Sequence, residues 1–191
     1  EKKLAYIISV GSAINTLLYH NIYPDAVTSY DPTAANQMVF AKVKEAGINK
    51  IPMIFGTSIG CETLNSYPGK KYHMITSQDT VAAYYLKSEN FEVLDIVRDA
   101  PSIAVVTLQL LYYMGFNPII LAGQNFAFRD KKRHSDGVYY SKELTDSEME
   151  KRIMVKDVYG NEILTNEIFN SMRFQMERFI KMTSGIEVIN T

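Results

Sequence analysis

The sequence is short of several things, and each shortage removes a class of answer. It carries a single cysteine, Cys61, so no intrachain disulfide framework holds it, and its thiol usage suits a reducing, cytoplasmic setting. No apolar run approaches the about 18 residues that a spanning helix needs, which predicts no membrane partner. No secretory signal opens the chain. Charge of either sign is not in excess: 20 Lys and Arg stand against 21 Asp and Glu, for a formal net charge of -1. That balance gives no global attraction to nucleic acid or anionic lipid. Neither a GxGxxG fingerprint nor a GxxxxGK[ST] loop is present. No two histidines share helical ligand spacing and no Cys/His cluster exists, so no metal site is expected.

What is there is an ordinary globular composition, 47% apolar and 21% charged over 191 residues. This is enough for one domain with a sizeable core and short for two. Residues 4–10 (LAYIISV) form an apolar run without a helical stripe, closed by Gly11, which predicts a buried strand. Ser12 is placed to cap a helix running to about His20. Residues 26–30 read as a second strand ended by Asp31-Pro32, because proline cannot donate to a ladder. Residues 34–46 predict a helix closed by Gly47, and residues 52–55 a third strand. Weaker strand patterns occur at 72–75 and 92–97.

Residues 102–114 (SIAVVTLQLLYYM) are apolar nearly all round and predict a helix buried on most of its surface. A buried strand follows at 118–122. Strands alternating with helices at these spacings predict parallel βαβ units with right-handed crossovers. The four strands beginning near Leu4, Ala26, Pro52 and Pro118 are then neighbours in one sheet. Residues 123–140 form a long polar loop. A β-hairpin is expected over 153–164 about Tyr159-Gly160-Asn161. A helix capped by Thr165 follows, with a stripe of Ile168, Phe169, Met172, Met176, Phe179 and Ile180. A last strand pattern runs over 186–189. The chain opens on Glu1, almost inside a strand pattern, and ends just after another, so both ends read as cuts. The expectation is a single α/β domain fragment over 1–191, its mostly parallel Rossmann-like sheet flanked by helices, with the hairpin and long helix near the C-terminus.

Ligands of open parallel sheets bind beyond the carboxyl ends of the strands. That rule selects Gly11 and Ser12, Asp31, residues 56–58, and the stretch from Gly123, Gln124 and Asn125 to His134. Asp25 and Asp31 bracket one strand and lie roughly 20 Å apart, so they cannot act as a carboxylate pair. Asp25 reads as a turn residue, while Asp31 is open between a turn role and a ligand role. Ser12 and Ser102 mark helix N-termini, which offer N–H groups and a positive dipole to anions; plain capping is the alternative for each. Arg129, Lys131, Lys132 and Arg133 surround Asp130 beside His134, either as a solvated loop or as a clamp for phosphate or carboxylate. His20 falls near a helix C-terminus and His73 in a strand with a structural role. His134 alone follows an active-edge strand, where a histidine can serve as a base.

Several segments resemble the motility-associated factor (Maf) family of bacterial flagellin glycosyltransferases. They are residues 10–13 (VGSA), 22–25 (IYPD) leading to Asp31-Pro32, 118–128 (PIILAGQNFAF), 132–137 (KRHSDG) and 158–166 (VYGNEILTN). Together they span most of the chain in the family's order, and GQNFAF is the most specific. Where most relatives carry Gly-Gln-Asp-Leu, this chain has Asn125-Phe126 and lacks the carboxylate.

The resemblance implies a Rossmann-like domain similar to bacterial sialyltransferases that use CMP-sialic acid. It further implies transfer of a sialic-acid-like nonulosonic sugar from a CMP-activated donor to Ser or Thr of flagellin, with no metal required. Carried over by position, Gly11 and Ser12 lie near the donor and Asp31 takes a ribose- or base-contacting place. Ser102 helps hold the donor's phosphate or carboxylate, Gly123, Gln124 and Asn125 line the donor site, and His134 takes the acceptor hydroxyl's proton. The family's Gly-Pro-Ser-Leu nucleotide loop has no counterpart, so the chain is expected to begin one βα unit late and to be inactive alone. The same superfamily resembles archaeal 6-hydroxymethylpterin diphosphokinases, which implies an alternative reaction with ATP and Mg²⁺. A third possibility is a non-catalytic module that binds flagellin or a nucleotide sugar.

Overall fold

A computed structural model describes residues 4–87, 96–128, 137–139, 144–145 and 152–191. The chain divides into two compact units, Glu1–Asp99 with Asp136–Tyr139, and Ala100–Ser135 with Tyr140–Thr191.

The first unit alternates strand and helix: β1 (Ile8–Val10), α1 (Ala13–Tyr19), β2 (Ala26–Ser29), α2 (Ala35–Val39), α3 (Ala41–Glu45), β3 (Met53–Gly56), α4 (Cys61–Ser66), β4 (Lys71–Met74) and α5 (Thr80–Tyr85). The strands form one sheet in the order β1-β2-β3-β4, every pairing parallel. Val27 stands opposite Met53, and both are fully buried in a core with Ile14, Phe40, Val43, Ile51, Ile59 and Tyr67. Apolar side chains of β2 and β3 thus meet those of α1, α2, α3 and the loops that follow. Their removal from water is the main stabilising term, about 25 cal/mol per Å² of apolar surface. Tyr67 reaches through this core to donate its hydroxyl to the Ile51 carbonyl at 2.8 Å, and burial pushes its phenol well above its ordinary pKa.

Two expectations change here. The first strand is shorter than residues 4–10, because Leu4 and Tyr6 are exposed, at 88% and 74%, so only Ile8–Val10 has a partner to pair with. The expected helix over 34–46 is two short ones. Phe40 leaves helical geometry at φ -103°, the Val39 carbonyl accepts from the Asn15 side chain at 3.0 Å, and Phe40 packs edge-on against Tyr67 at 5.5 Å. Tertiary contacts therefore override a helical pattern of modest propensity. The 72–75 pattern is β4. From the 92–97 pattern, Val97 forms a parallel bridge with Thr76, while residues 92–95 lie outside the described residues.

The second unit holds α6 (Ile103–Tyr113), β5 (Ile119–Leu121), β6 (Ile153–Lys156), β7 (Glu162–Thr165), α7 (Glu167–Met182) and β8 (Val188–Asn190). Helix α6 buries its residues from Ala104 to Gln109. It packs on α7, with the Tyr112 and Phe179 rings 5.9 Å apart. The hairpin turns where expected: Asp157 accepts from the Tyr159 and Asn161 amides, and Gly160 takes φ +87°, which glycine adopts without steric cost. The cap of α7 is Asn166, which accepts from Phe169 N at 2.7 Å. Thr165, the expected cap, ends β7 and gives its hydroxyl to the Phe126 carbonyl.

Strand β5 corrects the single-sheet expectation. Among the described residues it pairs in parallel with β8, not with β1–β4. The side chain of Asn117 fixes that choice, donating to the Gly185 carbonyl and accepting from Glu187 N, which seats the chain before β8 beside the start of β5. A buried run shows that a strand exists but not which neighbour it takes.

Candidate functional site

Four parallel strands put their carboxyl ends on one edge of the first unit's sheet. Gly11 and Ser12 follow β1, Tyr30 and Asp31 follow β2, Thr57 and Ser58 follow β3, and residues 75–79 follow β4. Of the sequence-selected residues, this edge gathers Gly11, Ser12, Asp31 and the segment from Gly56 to Ser58.

At Gly11 the backbone takes φ +47° while its N–H extends the ladder to the Thr28 carbonyl at 3.1 Å. Ser12 stands before α1, and its side chain makes no bond to the first-turn N–H groups of this seven-residue helix. The expected side-chain cap is therefore not made. Asp31 Oδ1 accepts from Thr33 N at 2.8 Å, a local turn bond that Pro32 favours. The Asp31 carbonyl accepts from Asn36 Nδ2 at 3.0 Å, and Asn36 also pairs with the buried Ser29 hydroxyl. Asp31 thus has a turn role and keeps an exposed carboxylate. Ser58 donates to the Tyr30 carbonyl at 2.6 Å. Burial first, then the Asp99 and Asp31 carboxylates, push the Tyr30 phenol above its ordinary pKa. Asp25 lies at the opposite end of β2, as expected, but its carboxylate accepts from Ile7 N at 2.8 Å, a bond to the segment entering β1 rather than within a turn.

The densest polar cluster on this edge is made of Thr57, His73 and Asp79. His73 Nε2 lies 2.5 Å from Thr57 Oγ1 and 3.4 Å from Asp79 Oδ2. Thr57 donates its hydroxyl to Asp79 Oδ2. The other Asp79 oxygen caps α5 by accepting from Ala82 N at 2.8 Å. The Asp79 side chain is 3% exposed and that of His73 30%, so a buried carboxylate stands behind an accessible imidazole. The Phe55 ring packs 5.2 Å from the imidazole, as the pairing of Phe55 with His73 dictates. Beside them Ser77 and Asp99 bond reciprocally, Asp99 N to Ser77 Oγ and Ser77 Oγ to Asp99 Oδ2.

Sequence reasoning selected Thr57 but gave His73 a structural role and passed over Asp79. The signal was present: Asp79 is an N-cap residue type just ahead of a helix, six residues after a strand histidine. Pairing the two needed the register of β3 against β4.

The remaining selected residues belong to the second unit. Ser102 caps α6 by accepting from Ala104 N at 3.2 Å, the plain reading of that position. Gly123 takes φ +70° and Phe126 φ +50° after β5. Gln124 between them is half-buried and Asn125 is exposed. His134 and the basic run from Arg129 to Arg133 lie outside the described residues. His20 caps the end of α1, the helix C-terminus expected for it. Among the described residues, no three His, Cys, Asp or Glu side chains are grouped as metal ligands, and no helix is long and apolar enough to cross a membrane.

A family model described as 6-hydroxymethylpterin diphosphokinase MptE-like matches residues 1–131. The chain belongs to the MptE-like family. No curated protein matches this chain significantly. Among solved structures it is similar to the Maf glycosyltransferase from Magnetospirillum magneticum AMB-1, with a TM-score of 0.71 at 17% identity. The match covers 98% of this chain and 29% of that protein, so this MptE-like chain shares the fold of a piece of a much longer enzyme. The parallel sheet flanked by helices, the hairpin and the long C-terminal helix are all features of that shared architecture.

Proposed function

We propose that this chain is the nucleotide-sugar domain of a glycosyltransferase, acting on a CMP-activated nonulosonic sugar with flagellin Ser or Thr as acceptor. The observation that carries the reading is the fold-level match to the Maf glycosyltransferase over 98% of the chain, joined to the polar carboxyl edge at which parallel sheets bind nucleotides. CMP is already a good leaving group. The protein's work is therefore to position the two substrates, to stabilise charge and to accept one proton. Gly11, Ser12 and Asp31 are the donor-side residues of the first unit. The roles of Ser102, Gly123, Gln124 and Asn125 as donor contacts, and of His134 as proton acceptor, rest on the resemblance to Maf enzymes.

The family match favours a second reading, ATP-dependent pyrophosphoryl transfer to 6-hydroxymethylpterin. That reaction needs carboxylates to hold the magnesium of the nucleotide. Among the described residues of the edge, Asp79 and Asp99 are bonded to the Thr57 and Ser77 hydroxyls, while Asp31 is exposed and gives one oxygen to Thr33 N. One experiment separates the readings. Full-length protein is given CMP-nonulosonic acid with flagellin, and separately MgATP with reduced 6-hydroxymethylpterin. The glycosyltransferase reading expects sugar-mass adducts on flagellin by mass spectrometry and no pterin diphosphate. The reverse pattern overturns it.

A further inference from the structure

His73 carries information that the proposed function does not use. Its hydrogen-bond neighbours fix how the ring is protonated. Thr57 gives its only hydroxyl proton to Asp79 Oδ2, so toward His73 Nε2 the Thr57 oxygen offers lone pairs alone. Asp79 Oδ2, 3.4 Å from the same nitrogen, also offers lone pairs alone. Both neighbours therefore require a hydrogen on Nε2. In a neutral imidazole the other nitrogen, Nδ1, is then an acceptor, and it has no hydrogen-bond partner among the described residues.

The ring is also held in place. Phe55 packs against it at 5.2 Å, and Asp79 is anchored by its cap bond to Ala82 N. In its neutral form the ring is therefore an oriented acceptor, on a side chain that keeps 30% of its surface open, at the edge proposed above for the nucleotide. Dinucleotide folds place a carboxylate at such an edge to accept from a ribose hydroxyl. A donor bearing both phosphate and carboxylate is repelled by a second exposed carboxylate. A neutral imidazole backed by a buried carboxylate accepts the same hydrogen bond without that repulsion.

We propose that His73, locked as the Nε2–H tautomer by Asp79 and Thr57, is a specificity residue whose Nδ1 accepts a hydrogen bond from a ribose hydroxyl of the bound nucleotide. The inference rests on the nucleotide-binding reading above and adds a residue that the Maf resemblance does not supply. Asp79 and Thr57 are positioning residues, since they act through the ring.

The test uses full-length protein and CMP as the probe. His73→Gln keeps an N–H near the Nε2 position for Thr57 and Asp79 and removes the Nδ1 acceptor. Calorimetric titration should show CMP binding weakened by about 3- to 10-fold, the ordinary worth of one neutral hydrogen bond. Either 2′-deoxy-CMP or 3′-deoxy-CMP should bind wild type more weakly by a similar factor, and the Gln variant should not lose that factor again. Asp79→Asn keeps a capping oxygen for Ala82 N but turns an amide N–H toward Nε2. Nitrogen-15 NMR should then show the His73 tautomer reversed, with CMP weakened as in His73→Gln. The chain has only three histidines, so the His73 ring signals can be assigned. A wild-type ring that is neutral with its proton on Nδ1 overturns the inference. So do fully additive losses with both deoxynucleotides, or coupling only to the base amino group when UMP replaces CMP. Those results leave the functional reading intact, whereas a protein that binds no CMP loses both.

Discussion

Replacing Gly69 by alanine places a methyl carbon 2.2 Å from the Ile51 carbonyl oxygen and 2.8 Å from Cε1 of Tyr67. Neither neighbour has an easy retreat. The Ile51 carbonyl belongs to the segment entering β3 and accepts the Tyr67 hydroxyl. Tyr67 is 3% exposed and packed against Phe40. Forcing a methyl into such a site costs about 1–3 kcal/mol in displaced packing. Separating Tyr67 from Ile51 leaves a buried hydroxyl unsatisfied, for about 1–3 kcal/mol more. The sum, about 2–6 kcal/mol, corresponds to a melting temperature lower by about 4–24 °C for a protein of this size. Thermal unfolding followed by circular dichroism measures it directly. Tyr67→Phe is the control: it removes the hydroxyl without adding a methyl, so it should cost less than Gly69→Ala. A Gly69→Ala protein that melts within about 2 °C of wild type refutes the packing account of this core.

In helix α6, Leu108→Asp should abolish folding, because Leu108 is 1% exposed and an unpaired charge there has no partner. Leu110→Asp, at a half-buried position, should melt lower but remain folded; circular dichroism distinguishes the two. In the hairpin, desolvation opposes ionisation of Asp157, but the bonds from Asn161, Tyr159 and Gly160 together outweigh it and hold the carboxyl below its ordinary pKa. Its contribution is therefore present above the unfolded carboxyl's pKa and is lost as pH falls through the lower folded value. NMR titration of its carboxyl carbon should give a midpoint below that of a model aspartate, and an ordinary midpoint contradicts the turn geometry. In the full-length protein, Asp31→Ala should raise the donor KM if the proposed function holds. His134→Ala should lower kcat by about 10²- to 10⁴-fold; normal turnover at saturating donor and flagellin removes His134 from the mechanism.

Much of the fold is legible in the sequence because parallel strands buried on both faces read as apolar runs. Ala26–Ser29 is buried at every position and is a strand for that reason, Ile119–Leu121 forms within the apolar run 118–122 although Ile120 is exposed, and the turn at Gly160 follows from its positive φ. Choices made by distant groups are less legible. The partner of β5 depends on Asn117 reaching Gly185 and Glu187, 68 and 70 residues away. The break at Phe40 depends on Asn15. The site divides in the same way. Gly11, Ser12 and Asp31 follow from one rule about strand ends, since each is adjacent to its own strand. The Thr57, His73 and Asp79 cluster does not, because its members come from three segments and meet only through the register of β3 with β4. A lone strand histidine has no distinguishing mark until that register is known.

The central claim is that a cytidine nucleotide binds at the carboxyl edge of the four-stranded sheet. Amide chemical-shift mapping of the full-length protein with added CMP tests it most directly. The largest changes should fall on the amides of Gly11, Ser12, Asp31, Thr57, Thr76 and Ser77, and on the His73 ring. Changes confined to the opposite edge around Asp25, or to the outer face of α7, contradict the claim.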